Sequence, residues 1–498
     1  MKTIAEALAA KPERLLFCLA AYYLAQVVVR LLIPNALRID EAQQVFLSQW
    51  LMAGYDAQPP LYNWMQYAAF AVTGNYLLGL AVMKALTLFA IMASYYVLGC
   101  MVLKSRAYAV LACIGLFLTP QVFWQAQRDL THTTATMLLV NLLMIAAIQT
   151  IRKPNLTNYV LLGAAIGFGL LSKYNFAILL APLIAAVFVL PEGRARLLDR
   201  RMLVTVALVL AIVAPHLYWL FYHVDVASEV TASRMATGAE QLGRLSEILT
   251  GTAGLIGSSV VVALPSTLLL MLSFGRDFPK ALKSRDRWSN FFLTILAGIF
   301  LTLFLMVLVL TLTTFRDRWL LPLLQIVPLL ICLRLEAADL DGKAALQRVV
   351  PGVLLFMALL LPVTYTIARF DTDSDYLQPF DAFSETLRRQ TGLNEMGVIV
   401  TGNWLMAGNI KNQFPESPVV ATDFENLRLP YVWRKDRPIL LIWRGGAAMP
   451  DAIVDWLSDE TDVDPESLSI NTIDLPVTGF PDRMAASFQY IVLRPADG

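Results

Sequence analysis

The sequence predicts a polytopic α-helical membrane protein, with about eleven transmembrane helices and a C-terminal soluble α/β domain. Three observations predict it. Charge is scarce: 15% of the 498 residues are Asp, Glu, Lys or Arg and 57% are hydrophobic, whereas a soluble domain carries roughly 25% charged residues. The apolar residues come in long runs, and residues 291–313 hold no charge at all. After residue 368 the pattern changes to short apolar runs separated by polar segments.

The long runs are the first element. A hydrocarbon core of roughly 30 Å is crossed by about 20 apolar helical residues. Only helices and closed barrels satisfy their backbone in lipid, and uninterrupted apolar runs are not barrel strands. The runs fall near 15–34, 76–103, 107–123, 131–151, 158–172, 175–191, 202–222, 251–275, 289–314, 319–335 and 349–368. The first has basic residues before it, as a signal peptide does, but it is long, lacks an A-x-A site and leads into further spans, so it is expected to be retained. With a cytoplasmic N-terminus, Lys2, Lys11 and Arg14 and the gaps holding Lys104/Arg106, Arg152/Lys153, Arg194/Arg196/Arg200/Arg201, residues 276–287 and Arg334/Lys343/Arg348 all fall inside. That places about 19 basic residues inside and about 7 in the outer loops. The asymmetry keeps its phase through every span, and an odd number of spans puts everything after Arg369 outside.

The C-terminal segment is the second element. Val398–Val400, Val419–Ala421, Ile439–Trp443 and Tyr490–Leu493 read as strands, residues 404–413 and 451–458 read as helices, and Asn403 is placed to cap the first of these. Alternating strand and helix predicts a small α/β domain over 369–498. The four cysteines, Cys18, Cys100, Cys113 and Cys332, all lie in apolar runs, where they read as small buried hydrophobes. A net charge of +1 leaves no case for a nucleic-acid partner.

Polar residues gather in the outer loops. In the first, 35–75, Ile39, Ala42, Val45, Phe46, Trp50 and Ala53 recur at helical spacing with Asp40, Gln43, Gln44 and Ser48 opposite, which predicts an amphipathic helix lying in the membrane interface. Trp50, Tyr55, Tyr62, Trp64 and Tyr67 suit an interfacial aromatic belt or an ordinary surface helix. Asp40-Glu41 sets two carboxylates close to lipid depth, where an acid is costly unless exposed or partnered. Such a pair suits general-base chemistry, or it is simply a solvated loop pair. Arg128-Asp129, followed by His132, begins the fourth span; Lys173 separates the fifth and sixth; Arg316-Asp317-Arg318 separates the ninth and tenth; His223, Asp225 and Glu229 follow the seventh, with Arg234 further on. Each alone reads first as a helix-end charge or a snorkelling side chain. Lys173 and Arg318 run against the positive-inside preference, and basic groups held outside suit an anionic headgroup such as a phosphate. No P-loop, G-x-S-x-G, H-E-x-x-H or C-x-x-C occurs. Acidic residues of this kind allow a divalent cation, but no ligand spacing demands one, and no metal site is assigned. Gly163, Gly167 and Gly169 read as a helix-packing pattern.

Asp40-Glu41 followed by Tyr55-Asp56-Ala57-Gln58-Pro59-Pro60-Leu61-Tyr62-Asn63-Trp64 resembles the family of the protein O-mannosyltransferases and lipid A aminoarabinose transferases, which are C-type integral membrane glycosyltransferases. Arg128-Asp129, Gly169-Leu170-Leu171-Ser172-Lys173 and Arg318-Trp319-Leu320-Leu321-Pro322 extend the likeness over about the first 335 residues. The resemblance implies a glycosyltransferase module over 1–368, its first outer loop carrying interfacial helices, and a periplasmic domain over 369–498. It implies transfer of a sugar from a polyprenyl-phosphate donor to an envelope glycolipid or polysaccharide, or alternatively to a protein, at the outer face of a bacterial inner membrane. Asp40 then becomes the base, with Glu41 supporting it and Asp129 as the second acid. Lys173, assisted by Arg318 and Arg128, holds the donor phosphate, and Gln58, Tyr62, His132, Tyr174 and His223 are further substrate contacts. This chain departs from the family pattern in having Ala57-Gln58-Pro59 where many bacterial members have Glu-Lys-Pro, and Tyr174 where a glycine follows the lysine. A transporter or flippase, the rival class, requires mid-membrane charges and two related halves, and no internal repeat is seen.

Overall fold

Chains this apolar bury their backbone polar groups by coiling, and the computed structural model is predominantly helical. It describes residues 11–55, 57–224, 243–424, 434, 436–446 and 448–494. Asp56, Asp225, Glu229, Arg234 and Lys2 lie outside the described residues.

In chain order the helices are α1 (Leu15–Leu32), α2 (Ile39–Leu47), α3 (Leu61–Thr73), α4 (Tyr76–Val102), α5 (Arg106–Phe117), α6 (Thr131–Arg152), α7 (Leu156–Ser172), α8 (Leu180–Val189), α9 (Met202–Tyr222), α10 (Arg244–Phe274), α11 (Arg287–Leu310), α12 (Asp317–Leu324), α13 (Val327–Ala337), α14 (Gly342–Phe370), α15 (Phe380–Thr391), α16 (Trp404–Gln413) and α17 (Asp451–Glu460). Among the described residues, eight stretches are long and apolar enough to cross a bilayer: α1, α4, α6, α9, α10 with its extension to Ala281, α11, α12 with α13, and α14. The other three expected spans are helical but different in form. Residues 107–123 become α5 and Gln121–Arg128, bent by 69° at the break. Residues 158–172 and 175–191 become α7 and Tyr174–Val189, each shorter than a full crossing. Polar residues start several helices: Asn155 caps α7 through Asn158 N–H (2.9 Å), and Asp286 caps α11 through Ser289 N–H (2.8 Å). Cys113 and Cys332 are buried as expected, whereas Cys100 is exposed and Cys18 half-buried.

The chain divides into two compact units. The first comprises Met1–Leu24, Ala53–Tyr62 and Lys84–Ala358. Here α7 packs on α9 through the expected small residues: a Cβ at Gly163 would stand 2.9 Å from Thr205 O, and one at Gly167 3.0 Å from the Ile212 side chain.

The second comprises Ala25–Met52, Asn63–Met83 and Leu359–Gly498, which groups the C-terminal segment with much of the first loop. Its five strands are β1 (Val398–Thr401), β2 (Val419–Ala421), β3 (Ile439–Trp443), β4 (Asn471–Val477) and β5 (Phe480–Leu493), ordered β2-β1-β3-β5-β4. β1 is parallel to β2 and β3, while β5 is antiparallel to β3 and β4. Val398, Val400, Leu441, Trp443, Ile453, Leu457 and Ile491 form the core, and Asn403 caps α16 through Met406 N–H (2.8 Å).

The amphipathic helix forms as α2 but ends at Leu47, before Trp50 and Ala53, and most of its apolar face is buried within the chain. Ala42, Val45 and Phe46 are fully buried, and α16 packs against them so closely that a Cβ on Gly408 would fall 2.0 Å from Ala42 O. An apolar stripe buries itself against whatever surface is tethered nearby, and here the chain's own domain supplies it.

Candidate active site

In the first unit the site is built on three helix breaks. α7 stops at Lys173, whose backbone is extended (φ −167°, ψ 141°), and Tyr174–Leu179 continues as a 3₁₀ turn. The break lets Lys173 Nζ donate to Thr133 Oγ1 (2.9 Å), on the first turn of α6. α6 itself begins after a distorted approach: a π-helical turn at Gln121–Gln125, a short turn Ala126–Arg128, extended Asp129, and Leu130 at φ 65°. Left-handed backbone at a buried leucine is strained, and such strain gathers at functional sites. Lys84, from within α4, donates Nζ to Asp129 O (2.8 Å).

His132 follows that turn. Its ring lies 5.8 Å from the buried Tyr62 ring, it interacts electrostatically with Lys173, and its Nδ1 is buried with no hydrogen-bond partner. The Gln58 Oε1 and the Trp219 indole N–H are likewise buried and unpartnered. Buried polar atoms are nearly always satisfied, so water or a polar ligand group would complete these three. The third break is the end of α9, where rings stack in a column. Tyr174 OH meets His216 Nε2 (3.2 Å), His216 stacks on Trp219, and Trp219 stacks on His223 at 4.6 Å. The column is braced from the 53–62 segment, since the Ala53 carbonyl is hydrogen-bonded to His216 Nδ1 (2.8 Å) and a Cβ on Gly54 would fall 2.2 Å from the Trp219 ring.

The structure therefore brings Tyr62, Asp129, His132, Lys173 and, through the ring column, Tyr174 and His223 into one region of this unit. Arg128 turns aside onto the Trp124 ring (5.1 Å). Arg318, the second residue of α12, is exposed, and its N–H is bonded by Asp317 Oδ1 (2.8 Å). The neighbouring Asp317 Oδ2 is taken by Gln121 Nε2 (2.5 Å).

In the second unit Asp40 is the second residue of α2 and half-buried, at a helix N-terminus that favours the carboxylate. Glu41 is buried and fully engaged. Its oxygens accept Arg30 Nε (2.8 Å) and Nη2 (2.9 Å), and Oε2 also accepts Arg38 N–H (3.2 Å). Arg30 is further held by Ala36 O (3.2 Å) and lies over the Tyr376 ring (4.8 Å), while Arg38 pairs with Asp375 (3.1 Å). Glu41 is thus a structural anchor beside Asp40. Among the described residues no cluster of three His, Cys, Asp or Glu is arranged for a metal.

Reading the sequence missed Lys84, Arg30, His216 and Trp219. One signal was there for the first two, a lone charge inside an apolar run.

Residues 57–219 match the family described as dolichyl-phosphate-mannose-protein mannosyltransferase. The chain is 36% identical over 441 residues to the lipopolysaccharide core galacturonosyltransferase RgtA of Rhizobium johnstonii, covering 88% of each chain. It is 35% identical over 470 residues to the lipopolysaccharide core galacturonosyltransferase RgtB of the same organism, covering 92% of this chain and 93% of that one. The crystal structure of ArnT from Cupriavidus metallidurans bound to undecaprenyl phosphate matches with TM-score 0.56 at 13% identity, over 96% of this chain and 97% of that chain. The apo state of ArnT matches with TM-score 0.53 over the same shares, and the likeness is one of fold. A multi-pass helical fold, a terminal sheet domain and relatives alike from end to end agree: the chain is a membrane glycosyltransferase and belongs to the family of the lipopolysaccharide core galacturonosyltransferases, among the C-type integral membrane glycosyltransferases.

Proposed function

We propose that this enzyme transfers a galacturonosyl residue from a polyprenyl-phosphate donor to the core of lipopolysaccharide, at the periplasmic face of a bacterial inner membrane. The observation that carries the reading is the 35–36% identity, nearly end to end, with two lipopolysaccharide core galacturonosyltransferases. The fold shared with an undecaprenyl-phosphate-bound transferase supports a lipid-phosphate donor.

In this reading Asp40 takes the proton of the acceptor hydroxyl as its oxygen attacks the anomeric carbon. The bond from that carbon to the phosphate oxygen breaks, and the polyprenyl phosphate leaves with one more negative charge than it carried as the diester. Lys173 meets that charge, which grows only as the bond breaks, so its contribution falls on the transition state. A lipid phosphate needs no strong general acid to depart, and a single displacement inverts the anomeric centre. Glu41 holds Asp40 in register through Arg30, and Asp129 is the second acid. Tyr62, Gln58, His132, Tyr174 and His223 contact the substrates, with the ring column offering apolar faces and ring nitrogens to a sugar. Arg318 and Arg128 act as peripheral cations. The C-terminal domain is periplasmic and the N-terminus cytoplasmic.

The test is transfer by the purified protein in lipid nanodiscs, from radiolabelled undecaprenyl-phosphate galacturonic acid to core-bearing lipopolysaccharide. Asp40→Asn is expected to lower kcat about 10³-fold and Lys173→Met to lower kcat/KM about 10²-fold. Label appearing on protein and none on lipopolysaccharide overturns the acceptor. A C-terminal reporter active only in the cytoplasm overturns the orientation.

A further inference from the structure

Beside the short helices α7 and α8 the first unit carries a groove. α6, α7, α8 and α9 enclose a space of about 370 Å³, within the range of small-molecule sites, roughly 300–1,000 Å³. Its floor is apolar and closed, with Leu162, Leu183 and Val187 buried. Its rim, Ile184, Val206 and Leu210, is exposed, so the space opens on the outside of a helix bundle that lies in lipid. The two threonines lining it spend their hydroxyls on backbone: Thr150 Oγ1 donates to Ala146 O (2.8 Å) and Thr205 Oγ1 to Tyr159 O (2.8 Å). From Met202 to Leu210 the groove follows α9 for about 12 Å. One leaflet of a hydrocarbon core is about 15 Å deep, so the groove has the chemistry and the length for one acyl chain.

The charged residue lining it is Arg196, at the end where α6 finishes and α9 begins. Arg196 is held in place, since its Nε donates to Ile151 O (3.2 Å) and its carbonyl accepts from Tyr159 OH (3.0 Å) on the first turn of α7. Among the described residues no carboxylate pairs with it: Glu192 is taken by Arg287 and feels Arg196 only at longer range, and Asp199 is taken by Arg201 (3.3 Å). Arg194 and Arg200 stand exposed on either side in sequence. A guanidinium presents a fork that matches phosphate, and basic pockets between membrane helices attract anionic headgroups. Tyr159 lies about 21 Å along α7 from Lys173, so this cation is at the other end of the helix from the proposed donor site. We propose that the groove binds an anionic diacyl phospholipid, with one acyl chain along α9 and the phosphate on Arg196, as a structural lipid that fills the space beside α7 and α8. The proposal does not depend on the galacturonosyl reading.

The experiment is native mass spectrometry of the full-length protein, delipidated in detergent and given dioleoyl phosphatidylglycerol, dioleoyl phosphatidylcholine or undecaprenyl phosphate. The wild type is expected to retain one phosphatidylglycerol with an apparent affinity about tenfold above phosphatidylcholine. Arg196→Met should bring the two lipids to parity, and Arg196→Lys should keep part of the preference, since an ammonium still attracts phosphate. Val209→Trp, which fills the groove from α9 and leaves Arg196 in place, should weaken phosphatidylglycerol about tenfold. Equal affinity of the wild type for phosphatidylglycerol and phosphatidylcholine overturns the proposal, as does unsaturable uptake of many lipids or a Val209→Trp protein that binds phosphatidylglycerol like the wild type. Undecaprenyl phosphate that is lost in Val209→Trp while phosphatidylglycerol stays overturns it in favour of a polyprenyl site. If neither the Arg196→Met nor the Val209→Trp protein folds, the wild-type lipid preference still decides.

Discussion

Replacing Glu41 by Gln removes a negative charge from beneath a buried arginine. The Arg30 and Glu41 side chains are only 10% and 8% exposed, and two N–H···O bonds of 2.8 and 2.9 Å join them. Removing one member of a buried pair costs roughly 3–5 kcal/mol, because the other charge stays behind without its counter-ion. Arg30 keeps the Ala36 and Pro34 carbonyls and the face of Tyr376, and glutamine keeps one acceptor oxygen, so the lower end applies, about 3 kcal/mol. In a unit of roughly 200 residues, with about 2–4 °C lost per kcal/mol, that is a fall of about 6–12 °C in melting temperature. Scanning fluorimetry of the detergent-solubilised protein measures it. The double variant Arg30→Met with Glu41→Leu, which removes both charges and keeps the volume, should recover most of the loss. A Glu41→Gln protein melting within about 2 °C of wild type, or a double variant whose loss is the sum of the singles, refutes the assignment of Glu41 as an anchor.

Gly408→Val drives a side chain into the Ala42 carbonyl, which is backbone and cannot swing away; a loss of about 2–3 kcal/mol and a matching drop in melting temperature are expected. Asn409→Leu strips the partners from the buried Leu37 amide, whose N–H (2.7 Å) and C=O (3.2 Å) both bond the Asn409 side chain, and should cost about 2–4 kcal/mol by the same measurement. Burial pushes the Lys411 ammonium down to about 8 from 10.5, although its Nζ donates to Pro415 O (2.8 Å) and Ser417 O (2.9 Å). Between these values the unfolded chain holds the proton and the folded chain does not, so stability rises with pH from about 8 to about 10.5, by on the order of 3 kcal/mol, and is flat below. Lys411→Met should abolish that slope in melting temperatures recorded from neutral to alkaline pH, and a slope that survives assigns the effect to another group.

All eleven apolar runs are helical, because a run that must satisfy its backbone without water has one local solution. The terminal domain was legible for a related reason: β1, β2, β3 and the end of β5 are short blocks of β-branched and aromatic residues, and Asn403 announced α16. β4 was not. It is an edge strand carrying Pro476, and only Ile473 and Val477 of its seven residues are buried, so it leaves no apolar run to find. α15 buries Phe380, Phe383 and Leu387 at helical spacing, a period visible only when moderate polarity is not mistaken for a loop. Of the proposed functional residues, Asp40, Asp129 and Lys173 stood out because they flank spans. Lys84 and Arg30 are inside spans, where averaging over a window erases a single charge. The ring column could not be read at all, since it joins Tyr174 to a helix that begins 28 residues later.

The placement of α2 also bears on why this transferase carries a terminal domain. A loop following a membrane helix is by default mobile, and the general base proposed at Asp40 must be held to within a fraction of an ångström of its target. Within the second unit the domain grips the chain on both sides of Asp40. Before it, Leu37 is bonded to Asn409 and Arg38 to Asp375. After it, Ala42 meets Gly408, Phe46 packs edge-on to Phe424, and Gln49 exchanges hydrogen bonds with both the N–H (2.9 Å) and the C=O (3.0 Å) of Val419 on the edge strand β2. Gln49 pairs that edge as a neighbouring strand would, which also closes it to other chains. A domain whose only task was to collect acceptor would need none of these contacts. Their distribution around one carboxylate makes the domain a brace for the loop that carries Asp40, with the entropy of ordering that loop met during folding instead of at each turnover.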